Sequence, residues 1–138
     1  MNDSSDTFVL DEIRDRYYPG DTLEGEVLWD LAEDPEEVIL SLGWWTSGSG
    51  TKDESVFDFK TWESPARIGK ERFAFTLPPG PFSFSGRLIS LEWGLELSAK
   101  TSSGKTLQTF ILSPTGQELD FSERNYESQI KSLSVRPR

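Results

Sequence analysis

The 138-residue sequence contains no cysteine and no histidine. Without cysteine there can be no disulfide, no thiolate metal site and no thiol nucleophile. Without histidine the most frequent general base and the commonest neutral metal ligand are both missing. Apolar runs stop at three or four residues, far short of the roughly 20 a membrane-spanning helix requires. No membrane insertion is expected. Met1 to Asp6 is polar and acidic, unlike a secretory leader with its basic and apolar parts. These absences point to a cytoplasmic domain that is not an enzyme and carries no cofactor. With 24 acidic residues, no pair of carboxylates stands out as an acid–base couple.

What is present is acidic and unevenly placed. Residues 1–63 carry 17 acidic and 4 basic side chains, whereas residues 64–138 carry 7 and 10. The net charge is −10. Such a surface repels phosphate backbones and anionic headgroups, so nucleic acid is not an expected partner.

The dominant hydrophobic period is two. Ile89, Leu91, Trp93, Leu95 and Leu97 fall on one face of a segment whose other face carries Ser90, Glu92, Gly94, Glu96 and Ser98. Phe73, Phe75 and Leu77 alternate with Arg72, Ala74 and Thr76. This alternation marks half-buried strands. Seven strands are predicted, over about 7–14, 22–31, 36–46, 55–62, 70–77, 87–100 and 106–113, with Gly-, Pro-, Ser- and Asp-rich turns between them. The fold class is all-β, an immunoglobulin-like antiparallel two-sheet sandwich. Trp29 and Trp93 belong to its core.

The expected organisation is a disordered lead over residues 1–6, a sandwich over 7–113 and a tail over 114–138. In the tail, Tyr126, Ile130 and Leu133 have helical spacing, and Ser122 is placed to cap one short C-terminal helix. A frayed tail is the alternative.

The third and fourth strands admit a hairpin in which opposed residue numbers sum to 101. That register places Leu42, Phe59, Trp44 and Phe57 inward. It leaves Ile39, Trp45, Val56 and Trp62 on the outward face, where they form a candidate partner-binding patch.

Three segments resemble the arrestin-like domain family. Tyr17-Tyr18-Pro19-Gly20-Asp21-Thr22-Leu23-Glu24-Gly25-Glu26-Val27 is similar to its Y-x-P-G-(D/E) segment. Phe73-Ala74-Phe75-Thr76-Leu77-Pro78 is similar to its F-x-F-x-(I/L)-P strand. Pro81-Phe82-Ser83-Phe84-Ser85-Gly86 is similar to the segment that leads into a long strand. Physical chemistry gives several of these residues structural roles. Pro19 and Gly20 suit a type II turn. Gly25 marks a bulge or a close backbone approach. The prolines at 78, 79 and 81 force a crossing between sheets. The resemblance implies one arrestin-type sandwich acting as an adaptor or scaffold, as in sporulation-control and retromer arrestin-like proteins. Arrestins proper have two such sandwiches and sense phosphates with basic side chains. Here Arg14 and Arg16 sit among Asp11, Glu12 and Asp15, so phosphoreceptor recognition is not implied.

Two motifs invite other readings. Ala99 to Thr106 fits a relaxed phosphate-loop pattern, but the following segment reads as a strand, so a hairpin loop is expected. Asp30, Glu33, Asp34, Glu36 and Glu37 cluster around a turn and offer oxygen ligands to calcium. They lack the spacing of a calcium loop, so a solvated acidic loop is expected.

The function expected from these readings is a non-enzymatic protein-interaction module with an unknown protein partner. One alternative is a carbohydrate or small-ligand binder that stacks its ligand on Trp45 and Trp62. The other is a structural subunit that self-associates as a homodimer through the same patch.

Overall fold

The computed structural model describes residues 6–48, 52–86, 89–100 and 104–120. The tail helix predicted over 122–133 and the first five residues lie outside this set. Among the described residues there are ten strands: β1 (Thr7–Asp11), β2 (Arg16–Tyr17), β3 (Thr22–Asp30), β4 (Glu37–Gly48), β5 (Glu54–Glu63), β6 (Ile68–Thr76), β7 (Phe84–Ser85), β8 (Ile89–Ala99), β9 (Lys105–Leu112) and β10 (Leu119–Asp120). The seven predicted strands are all here. The three additional ones are two-residue pieces.

The strands form two sheets. The small sheet has the order β1-β3-β6. The large sheet has the order β10-β7-β8-β4-β5, with β9 on β8 and β2 on β9. The main chain crosses between the sheets after β1, β2, β3, β5 and β6. The crossings after β3 and β5 are laced together. The Leu31 N–H donates to the Arg67 carbonyl at 2.8 Å, and the Ser64 N–H donates to the Glu36 carbonyl at 2.7 Å. The last crossing is the proline-rich stretch before β7, where the missing N–H groups end the β6 ladder.

The core lies between the sheets. Leu23, Val27, Trp29, Phe73 and Phe75 from the small sheet meet Val38, Leu40, Leu42, Trp93, Leu95 and Leu97 from the large one, all buried. The Trp93 indole N–H is satisfied by the Pro81 carbonyl at 2.7 Å. That of Trp29 is satisfied by the Ala66 carbonyl at 2.9 Å. Both tryptophans thus bury large apolar rings without orphaning a donor.

The Tyr18–Asp21 turn is type II, as its composition predicts. The Asp21 N–H closes it on the Tyr18 carbonyl at 3.0 Å, and Gly20 supplies φ +86°. Asp21 Oδ2 accepts the Tyr18 N–H at 2.9 Å. Gly20 and Asp21 then pair with Leu77, so this turn is pinned to the start of the proline crossing at Pro78. Gly25 is a close approach: a Cβ there would stand 2.6 Å from the Asp11 carbonyl oxygen.

The structure corrects one register. In the β4–β5 hairpin, opposed numbers sum to 100 from Glu37/Glu63 to Leu42/Asp58, then to 99 from Gly43/Val56 to Trp45/Glu54. A bulge at Phe57 makes the change. A sum of 101 would turn Phe57 and Phe59 of β5 toward the core. Being an edge strand, β5 instead turns Lys60 and Trp62 inward opposite Leu40 and Val38, and leaves Phe59 60% exposed on the outside.

Pairing also continues past residue 113. The Ser83 hydroxyl accepts the Leu112 N–H at 2.9 Å, and its carbonyl accepts the Leu119 N–H at 3.2 Å. This brings β10 parallel to β7. At the other end, Asp6 is tied down, its carboxylate accepting the Ala32 N–H at 2.9 Å.

Replacing Trp93 with Ala removes the largest fully buried side chain. Denaturant unfolding of that variant should show a loss of ~3–5 kcal/mol from transfer energy and the residual cavity. A loss below ~1 kcal/mol would contradict the assignment of Trp93 to the packed centre.

Candidate functional site

The outward face of the large sheet is the candidate site. β4 and β8 pair in register from Val38/Ala99 to Gly48/Ile89. Their odd and even positions alternate between core and outside, so Gly43 and Gly94 stand opposite each other on the outside. Val56 flanks Gly43, and Thr109 flanks Gly94. The next row along the strands is Phe59, Ser41, Glu96 and Leu107.

Glycine shapes this face. A Cβ at Gly94 would stand 2.9 Å from the Trp45 ring. A Cβ at Gly43 would run into the Ser55 carbonyl. The Trp45 indole therefore lies over Gly94 instead of projecting from the sheet. Around it is a shallow recess of about 260 Å³, bordered by Val56, Leu107, Glu54 and Glu96. Val56 is 64% exposed and Leu107 54% exposed. The Lys105 ammonium lies 3.8 Å from the Glu96 carboxylate.

Of the four residues expected to share this face, Ile39, Trp45 and Val56 do. Trp62 does not. Its ring packs on Trp29 at 5.9 Å between centroids, on the core side of β5. The cause is the one-residue register difference, which moves a side chain to the opposite face. Sequence reading missed Phe59, which it assigned to the core, and Leu107. Two glycines inside otherwise regular strands were the signal that backbone or ring approaches closely here.

A second recess adjoins the first. Glu92, opposite Trp45 in the ladder, borders it together with Glu118, Thr109 and Ile111. Partial burial, and then the charges of Glu92 and Asp120, push the Glu118 carboxyl above the usual glutamate range.

Ser98 pairs with Lys105, so the segment between them joins two antiparallel strands as a hairpin. It lacks the helix N-terminus that cradles phosphate. The acidic turn after β3 is held by Arg67, whose N–H meets Asp34 Oδ1 at 3.0 Å and whose guanidinium lies 3.8 Å from Asp30. No three of its carboxylates converge. Asp11, Glu12 and Glu26 do approach one another. Arg72 already lies 3.1 Å from Glu12 and 3.9 Å from Glu26.

No family model and no curated protein matches this sequence. Among solved structures, the sporulation control protein Spo0M of Bacillus subtilis superposes with a TM-score of 0.53 at 14% identity. The match covers 94% of this chain and 54% of that one, so the chain spans about half the length of its neighbour. The fold is arrestin-like. A β-glucosidase of Listeria innocua is also similar, with a TM-score of 0.47 and 10% identity over 83% of this chain and 16% of that one.

The arrestin-like sandwich places Glu118 at the entry to β10. Because the carboxyl is raised in the fold, ionised Glu118 disfavours folding once pH rises above the ordinary value of 4.5. Glu118→Gln should therefore raise the thermal midpoint at pH 7. The gain should shrink toward zero as pH falls below that value, where both states hold the proton. Melting curves over pH 3.5–7.5 check this, and a variant less stable at pH 7 would contradict it.

Proposed function

We propose that this chain is a non-enzymatic protein-interaction module, an adaptor or scaffold, that docks a partner protein on the outward face of its large sheet. The observation that carries the reading is the apolar set of Trp45, Val56 and Leu107 around one recess on the outward face, with exposed Phe59 in the row of Leu107. Single exposed apolar residues are ordinary, but a contiguous patch with an aromatic centre and a polar rim is how partner sites are built. The similar Bacillus subtilis protein is named for control of sporulation, a regulatory role that suits such a module.

Binding by the free edge of β5 is the weaker mode. That edge carries a bulge and an inward-pointing lysine, both of which discourage strand addition. The carbohydrate alternative relied on two tryptophans forming one stacking platform. Trp45 and Trp62 lie on opposite faces of the sheet, which weakens that reading. Self-association would set the rim of Glu54, Glu92 and Glu96 against its own copy, an arrangement that like charges oppose. The absence of histidine and cysteine supports a role without chemistry.

The test is a Val56→Ser, Phe59→Ser, Leu107→Ser variant. All three side chains are more than half exposed, so its melting midpoint should stay close to that of the parent. Quantitative capture from the native host should show loss of a discrete set of proteins, and glycan arrays should be blank for both forms. Unchanged capture, or glycan binding that the variant loses, would overturn the docking reading.

A further inference from the structure

The apolar face has an occupant within reach. The described chain ends at Asp120 in β10, at the margin of the large sheet. Glu118, two residues earlier, borders the same recess as Glu92 and Thr109 on the outward side. The described chain therefore ends level with Ser85, Ser90 and Ser47, on the same sheet as Trp45 and three strand positions from β4.

Eighteen residues follow, 121–138. They carry 4 basic and 2 acidic side chains, a net of +2, whereas residues 1–120 carry 10 basic and 22 acidic, a net of −12. The two charges sum to the −10 of the whole chain. The segment also holds Phe121, Tyr126, Ile130, Leu133 and Val135. It thus combines bulky apolar side chains with positive charge, the complement of an apolar floor rimmed by Glu54, Glu92 and Glu96. Length is no obstacle. Four strands at the usual spacing are about 15 Å across, and 18 residues reach at most ~60 Å when extended.

We propose that residues 121–138 of the chain itself dock on the outward face of the large sheet, over Trp45, Val56 and Leu107, so that a partner must displace them. This rests on the reading of that face as a docking surface. Tethering strengthens the contact without requiring high intrinsic affinity, because the effective concentration of a short linked segment is about millimolar. A partner would compete with that local concentration. A second copy is the weaker occupant, since it brings a like-charged rim and pays the cost of association.

The absence of cysteine makes the experiment direct. Ser128→Cys in the full chain gives a single attachment point for a nitroxide label. Amide signals of Gly43, Gly94 and Leu107 should broaden and be lost, while those of Ala74 and Arg72 on the small sheet persist. Adding Ile130→Ser and Leu133→Ser, or Lys131→Glu and Arg136→Glu, should restore the lost signals. Mixing unlabelled isotope-enriched chain with labelled natural-abundance chain separates cis from trans. Broadening that persists in the mixed sample means a second copy occupies the face and overturns the proposal. So does broadening on the small sheet, or none at all. Partner capture by the Ile130→Ser, Leu133→Ser variant separates this inference from the functional reading. Unchanged capture, with no signal lost in the labelled chain, rejects the intramolecular contact and leaves the docking face standing. Signal loss at the face with no captured partner rejects the adaptor and leaves the contact.

Discussion

The ladder between β4 and β8 is the constraint on which the rest depends. It runs through eleven residue pairs, from Val38/Ala99 to Gly48/Ile89, without a shift. A strand has a side-chain period of two, so one register fixes both surfaces at once. Inward it lines up Leu40 with Leu97, Leu42 with Leu95 and Trp44 with Trp93. Outward it sets Gly43 against Gly94 and Trp45 against Glu92. A slip of one residue would place charges in the core and leucines in water. The buried centre and the exposed recess are thus two consequences of one pairing.

The sandwich treats its edges and its faces differently. β6 ends the small sheet and presents Lys70, Glu71 and Arg72 in succession, charges that discourage another strand from adding. β5 ends the large sheet with a bulge at Phe57 and with Lys60 turned inward, its ammonium 5.4 Å from the centre of the Phe75 ring. Both devices protect backbone groups. No comparable device protects the outward face between Val56 and Leu107. Its apolar side chains are exposed where the edges have been blunted, so the opening is specific to that face.

Local chemistry made most of the fold legible. Alternation fixed the long strands, and Pro19-Gly20 fixed a type II turn whose φ values only those residues satisfy cheaply. Gly25 was legible as a close approach because a glycine inside a strand has few other reasons to be there. The failures are nonlocal. β2, β7 and β10 are two residues each, too short to carry a period; β10 is set beside β7 because Ser83 bridges Leu112 and Leu119, and β2 is held on β9 by the Asp15 and Tyr17 carbonyls. The β4–β5 register failed because an edge strand is half solvated. Phe59 on the outside costs less there than it would in a central strand, and a bulge resets the alternation between Phe57 and Phe59. Trp62 followed that error onto the wrong face.

The outward face breaks local rules in two ways. Glycine in a strand interior weakens the strand, through lost entropy and lost side-chain packing, and two glycines face each other here. Large apolar side chains in water forgo roughly 25 cal/mol for each Å² left unburied. Neither feature helps the sandwich fold. Filling the exposed apolar positions with threonine would suit the sheet better. What the two features accomplish together is a flat floor, with the Trp45 ring lowered onto Gly94 and room above it. Departures from local consistency that agree with one another in this way mark a working surface more often than an accident of packing. The same logic ranks the other candidates lower. The acidic turn after β3 is solvated and tied by Arg67, and the hairpin between β8 and β9 follows ordinary turn chemistry. Neither stabilises a costly arrangement, and so neither requires a partner to explain it.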